Sequence, residues 1–423
     1  MMTRLRPYLL GILGLAAITF PFLWLQLKPD FDNNTMSIAW APAHGLQFFN
    51  DLLPVFIIAF VIWLGNFANR YWGWDEAVAR NAAWQKVAGF WETSWAWIAM
   101  PLVLCGPFVL SASNLGLLTN VGIYMLLALG LNITVGMTGL LVLGYAGFFA
   151  FGAYFFALGQ QSFSFFPWWL AAPLAFPFGG LVGYLLGLPC LRLRGDYLAI
   201  VTLGFAEAMR ETIRNLDFTG GDQGVIVKSY ALFRPFLGLK GDQMSYLFVA
   251  LILFLAVFLV QRLYHSPIGR AWMAIRENEI AASSVGVPVV QMKLLAFSLS
   301  AAIAAVAGVL SGAHDGFVSP ALCEFQQSIM VLAMVILGGL GNSYGVMLGA
   351  ALLYLVPEYL KRVSMLQENA TFTALVPPVL RDSLAHLSDY RLLLFGGVMV
   401  LMMLYRPQGL LGSRRRQKEM LHR

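Results

Sequence analysis

The chain has 423 residues, of which 59% are hydrophobic and only 11% charged, with a mean hydropathy of +0.72 and a net charge of +6. That balance excludes a soluble domain, and the positive charge is spread over short loops and a basic C-terminus rather than gathered into a nucleic-acid surface. Residues 93–191 form an uninterrupted run of 99 without Asp, Glu, Lys, Arg or His. As α-helix this run would be roughly 150 Å long, room for about four crossings of a hydrocarbon core about 30 Å thick. The expected fold is an all-α polytopic membrane protein with about 10–12 transmembrane segments, some of them broken or half helices. A β-barrel is rejected because runs such as 247–260 do not alternate apolar and polar residues.

In chain order, apolar segments are expected near 8–27, 46–65, 95–112, 115–136, 139–160, 167–189, 197–214, 245–263, 293–316, 328–341, 344–360 and 391–406. Residues 1–92 read as an N-terminal two-helix extension whose Trp-rich loop, 66–92, carries both charge signs and suits the membrane interface. The first apolar stretch is too long for a signal peptide and no small-residue cleavage site follows it. Residues 93–411 read as the core and 412–423 as a basic cytoplasmic tail. With the N-terminus inside, the cytoplasmic stretches hold 17 of the 27 Lys and Arg; the reversed orientation inverts the bias and is rejected. Both termini are therefore expected in the cytoplasm.

Two glycine-rich stretches interrupt the apolar text. Gly136, Gly139, Gly144, Gly147 and Gly152 allow close helix contact. Gly338, Gly339, Gly341 and Asn342 sit mid-membrane by spacing and mark a candidate broken helix beside a translocation path. A weak internal repeat relates 115–158 to 325–358.

Two charged interruptions carry further information. Glu207, Arg210, Glu211 and Arg214 fall on one helical face. They are either a self-compensated stripe near the outer surface or a polar wall easing passage of a zwitterion. The following turn, Thr219-Gly-Gly-Asp-Gln-Gly224, is either structural or a partner contact. In the inner loop 265–293, Ser266-Pro267 opens a short helix and Gly286 and Pro288 close it. Glu277 and Glu279 interleave with Arg270 and Arg276 there, and a helix resting on lipid would favour Lys and Arg. This loop is expected to dock a soluble partner.

No phosphate loop, H-E-x-x-H, G-x-S-x-G or C-x-x-C occurs, and the three cysteines have no pairing or metal-ligand spacing. No catalytic, metal or cofactor site is expected; if ATP drives this pore, another chain hydrolyses it.

Taken together, 139–148, 191–205 with Thr219-Gly-Gly221, 269–286 and Arg406-Pro-Gln-Gly-Leu-Leu411 resemble the LivM-type permease subunit of branched-chain amino-acid ABC importers. The resemblance spans the whole core. It implies a bacterial inner-membrane pore with a second, LivH-type permease, two cytoplasmic ATP-binding subunits and a periplasmic amino-acid-binding protein, moving leucine, isoleucine and valine by alternating access. Loop 265–293 then corresponds to the coupling helix, with Arg270, Arg276, Glu277, Glu279, Ala281, Ala282 and Gly286 as its docking residues. The family's E-A-A-x-x-x-G pattern is degenerate: Ala281, Ala282 and Gly286 fit, Ile280 occupies the Glu position, and Glu277 or Glu279 is expected to meet the ATPase with Arg276 in support. Glu207, Arg210, Glu211, Gly338, Gly339, Gly341 and Asn342 are the candidates along the path. The alternatives are a urea or short-chain amide permease and an ion-coupled secondary transporter; a membrane-embedded enzyme has no supporting constellation.

Overall fold

The structure is a computed structural model that describes residues 25–30, 35–40, 112–163, 166–190, 195–227, 241–365, 396–397, 400 and 409–410. The chain divides into two compact units, Met1–Asn114 with Val363–His386, and Leu115–Arg362 with Leu387–Arg423. In the first unit, β1 (Leu25–Asp30) and β2 (Thr35–Trp40) pair antiparallel from Leu25 opposite Trp40 to Asp30 opposite Thr35. This corrects the end of the first expected membrane segment, which runs through residue 27. The sequence reason is the Asp32-Asn33-Asn34 turn signal between two stretches that each carry alternating apolar residues. The rest of that segment, segment 46–65, all of 95–112 but its last residue, and the tail 412–423 lie outside the described residues.

The second unit is built from helices: α1 (Ala112–Leu131), a π-helical turn (Asn132–Thr138), α2 (Tyr145–Ser162), α3 (Trp168–Cys190), α4 (Gly195–Asn215), α5 (Gly241–Tyr264), α6 (Pro267–Glu277), α7 (Glu279–Ser284), α8 (Val289–Asp315), α9 (Phe325–Gly338) and α10 (Ser343–Met365). Four continuous helical stretches are long and apolar enough to cross a membrane: Ala112–Thr138, Trp168–Cys190, Gly241–Tyr264 and Val289–Asp315. Two shorter apolar helices, Phe325–Gly338 and Ser343–Glu358, join them. The all-α polytopic membrane architecture expected from the composition is what forms. The sole strands of this unit among the described residues are the two-residue β3 (Val225–Ile226) and β4 (Phe317–Val318), which pair antiparallel.

Helix α8 is the axis of the packing. It carries Ala301, Ala302, Ala304, Ala305, Ala307, Gly308 and Gly312, all buried. Apolar burial drives little association between helices already in lipid, so close packing must supply it, and small residues let the backbones approach. A methyl group added at Gly152 of α2 would fall 1.9 Å from the Ala305 carbonyl oxygen, and one at Gly308 would fall 1.9 Å from that of Phe149. On the other side of α8, methyl groups at Gly179 and Gly183 of α3 would meet the side chains of Ala305 and Ala301 at 2.4 and 2.5 Å. Phe148 fills the remaining space, edge-on to Phe297 with ring centroids 5.6 Å apart. Helices α3 and α5 turn Leu181, Leu185, Leu251, Leu255 and Phe258 outward, the apolar surface that suits lipid.

The packing makes a contrast between two glycines. Gly152→Val drives a side chain into the α8 backbone, and the expected destabilisation is about 3 kcal/mol or more, at or above the top of the usual overpacking range because a backbone cannot rotate away. Gly204→Ala meets nothing within 4 Å and is expected to be neutral. Melting of the two detergent-purified variants beside wild type checks both.

Candidate functional site: a surface helix pair joined to two broken helices

The loop expected as one helix is two. Ser266 caps α6, its Oγ accepting from the Gly269 amide at 3.3 Å, and Pro267 holds the first turn. The helix stops at Asn278, whose backbone is extended (φ −159°, ψ 113°). Asn278 Oδ1 then accepts from the amides of Ile280 and Ala281, each at 3.0 Å, and starts α7. Asn is a preferred N-cap because its short amide competes with the helical backbone; the apolar periodicity runs across this break without registering it. Gly286, at φ 88°, closes α7, as expected of a helix-ending glycine.

The expected docking residues divide into three groups. Arg270 and Glu277 are exposed, as are Ala281 and Gly286. Ala282 is buried with Ile275 and Val289, holding α7 onto the bundle. Arg276 and Glu279 turn toward the protein. Glu279 pairs with Lys293 of α8 at 2.6 Å, where the lysine side chain is only 10% exposed. Arg276 Nη1 donates to the Gly136 carbonyl in the π-helical turn. Trp272, fully buried, donates from Nε1 to the Met292 carbonyl at 2.8 Å and fixes α6 against the start of α8. Two large apolar side chains here are strongly exposed: Ile280 of α7 at 81% and Val285, which follows it, at 77%.

The glycine run forms the expected break. Helix α9 has 14 residues, about 21 Å, short of a hydrocarbon core of about 30 Å. It ends at Gly338, Gly339 and Gly341 follow with φ 112° and 87°, and Asn342 Oδ1 accepts from the Tyr344 amide at 3.1 Å to start α10. Gly338 is packed so tightly that an added methyl would lie 2.3 Å from the Gly345 carbonyl oxygen.

A second break was expected to be helix. Within 139–160, helical structure begins only at Tyr145; Gly139 is left-handed (φ 75°) and the chain runs non-helical through residue 144. Its backbone is satisfied from other helices: the Leu143 amide donates to Thr202 Oγ1 of α4 at 3.2 Å and the Ala146 amide to Ser328 Oγ of α9 at 2.9 Å. The glycine break meets the π-helical turn that precedes this one, since the Gly341 amide donates to Asn132 Oδ1 at 2.9 Å. Each of the two stretches, 115–158 and 325–358, holds a helix, a break and a second helix.

The charged stripe on α4 is self-compensated. Arg210 pairs with Glu207 at 2.6 Å and Arg214 with Glu211 at 3.1 Å, each three residues apart. Arg214 also makes a fork with Asp222 at 2.5 and 3.0 Å and holds that carboxyl below the usual carboxylate range. Thr219 Oγ1 donates to the carbonyls of Ile213 and Leu216, and Gly220, Gly221 and Gly224 all have positive φ. The turn delivers β3 to β4 at the end of α8. Glu207 and Glu211 nevertheless stay half exposed along α4. The structure brings Gly341 beside Arg276 of the surface pair, with Gly338, Gly339 and Asn342 in the same break, and leaves Glu207, Arg210 and Glu211 on a separate helix. Asn132, Asn278, Lys293, Thr202 and Ser328 carry contacts that the linear sequence does not announce. Among the described residues no group of His, Cys, Asp or Glu could hold a metal ion.

The family profile described as branched-chain amino acid transport system, permease component, matches residues 113–403. The high-affinity branched-chain amino acid transport system permease protein LivM of Escherichia coli (strain K12) is 41% identical over 339 residues, covering 75% of this chain and 74% of that protein, and LivM of Salmonella typhimurium matches to the same extent. The permease protein LivH of E. coli is 35% identical over 109 residues, 24% of this chain and 35% of its own length. No solved structure matches. With the matched region covering both breaks and the surface helix pair, the chain belongs to the permease component family of branched-chain amino acid transport systems.

Proposed function

We propose that this chain is one of two permease subunits of an ATP-driven importer that carries leucine, isoleucine and valine across a bacterial inner membrane. Family membership over residues 113–403 is the observation that carries the reading. A LivH-type permease would complete the pore, two cytoplasmic ATP-binding subunits would drive it, and a periplasmic binding protein would load it. Both termini would lie in the cytoplasm, on the side of α6 and α7. The chain itself is a pore subunit and not an enzyme; the likeness to LivH over 109 residues fits a pair of related permeases.

The exposed side of α6–α7 is the docking surface for the ATP-binding subunit in this reading. Isolated side chains as large as Ile280 and Val285 stand out on a loop otherwise lined by Glu277, Asn278, Ser283 and Ser284. An apolar anchor surrounded by polar residues is the usual anatomy of a protein contact. Glu279 is committed to Lys293; Glu277, exposed at the end of α6, is the acid that would face the partner. Glu at the position of Ile280 would be the family pattern, so the surface that receives this chain is expected to be less basic there.

Three measurements test these statements. ATP-dependent leucine uptake in vesicles holding the assembled complex supports the importer; uptake driven by an ion gradient, with no ATPase attached, overturns it in favour of a secondary transporter. Ile280→Ser with Val285→Ser is expected to lower co-purified ATPase by about tenfold or more, with folding intact because both side chains are exposed here. Glu279→Gln is expected to cost about 1–2 kcal/mol, discounted for the exposed carboxylate, since it strands a nearly buried lysine. Lys293→Met should cost less, because the freed Glu279 is half in water. Thermal melts of the two single variants read this asymmetry.

A further inference from the structure

We propose that Arg276 is a positioning residue, a strap that ties the surface helix pair to both helix breaks, and not a contact to the ATP-binding subunit. The proposal rests on reading α6–α7 as the motor-docking segment. Three observations meet at one side chain. Arg276 lies in the last turn of α6, and its Nη1 donates to the Gly136 carbonyl in the π-helical turn. A methyl added at Gly139, the left-handed residue that ends that turn, would lie 3.2 Å from Arg276 Cγ; one added at Gly341, in the other break, would lie 3.2 Å from Arg276 Nη1. The guanidinium therefore occupies the space between the two breaks, which glycines keep open.

The glycine break is already fastened to the π-helical turn through Asn132. Its Oδ1 accepts the Gly341 amide, while its Nδ2, fully buried, has no acceptor. An orphaned buried donor is costly, so a small shift of the Gly136 or Gly341 strand that offered Nδ2 a carbonyl would lower the energy of a second arrangement. That makes the junction a natural two-position element, and Arg276 brings a charged side chain of α6 into contact with it. Arginine is well suited to such a strap, because its rigid fork stays charged and can hold a carbonyl while its stem packs against glycine. Motion imposed on α6 and α7 is then delivered to residues 136–144 and 339–342 through one guanidinium.

The test uses full-length chain with Cys105, Cys190 and Cys323 replaced by Ala and a single reporter, Leu141→Cys, in the first break. In the isolated chain in detergent, Arg276→Ala is expected to raise the rate of maleimide labelling at position 141 several-fold; an unchanged rate overturns the strap whether or not the chain proves to be part of an importer. In the assembled complex, Arg276→Ala is expected to retain the wild-type amount of ATPase while leucine moved per ATP hydrolysed falls about tenfold, the scale of an ordinary coupling energy. Loss of the ATPase with Arg276→Ala would make Arg276 a docking residue and overturn the proposal, as would unchanged uptake per ATP. Failure of the importer reading shows separately, as absence of ATP-driven uptake in the wild type.

Discussion

Everything in the core follows from one constraint: a peptide group that leaves its helix inside a membrane must find another partner within the protein. Both breaks meet it with borrowed side chains. Thr202 and Ser328 accept amides from the stretch after Gly139. Asn132 and Asn342 accept amides from the stretch around Gly341. The Leu410 amide donates to the freed Leu337 carbonyl at 2.9 Å. Irregular backbone is tolerated here because helices α4 and α9 and the π-helical turn supply the missing groups, so the breaks hold those elements in register as much as they are held by them.

The same economy explains the small residues. Side chains such as Thr202 and Ser328 reach one or two atoms beyond the backbone, so the helices carrying them must come very close. Gly144 shows how close: a methyl there would lie 1.7 Å from the Thr202 carbonyl oxygen. Ser300 on α8 repeats the pattern one layer away, donating to the Gly130 carbonyl at 2.8 Å while its own carbonyl accepts from the Tyr145 hydroxyl at 3.2 Å. Glycine contact and backbone rescue are two sides of one arrangement: the first brings the polar atoms into range, and the second makes that proximity worth its conformational cost.

This division also governs what could be read from the linear text. Segments 115–136, 167–189, 245–263 and 293–316 overlie helices α1 with its π-helical turn, α3, α5 and α8, because an apolar run of that length has few other stable states in a membrane; segment 197–214 overlies α4, whose second half is charged. The break at 339–342 was legible, since two glycines and an asparagine, directly after Gly338, are rare inside an apolar run. The break at 139–144 was not: Leu140, Leu141, Val142 and Leu143 are as apolar as any membrane helix, and apolar content reports burial rather than backbone conformation. The α4 charges were recognisable as a stripe from their spacing, and their pairing followed from it. Arg276 is the opposite case. Its type and position on a charged loop read as a surface contact, while its acceptor lies 140 positions away in the chain, a relation no local pattern encodes.

The geometry of the α6–α7 pair has a mechanical consequence. The extended residue Asn278 separates the two helices, so α7 can tilt without dragging α6 as a rigid rod, yet two ties limit that freedom. Glu279 at the first position of α7 is bound to Lys293 on α8, and Trp272 on α6 is bound to Met292 one residue before it. Both helices are thus referred to the same point on α8, the central element of the packing. A push on Ile280 and Val285 is resisted by α8 and has a charged outlet on α6, through Arg276 to the breaks. A force that could spread into the bundle would be channelled, on the proposed role of Arg276, to the place where backbone already leaves regular helix and where the buried Asn132 Nδ2 has no acceptor.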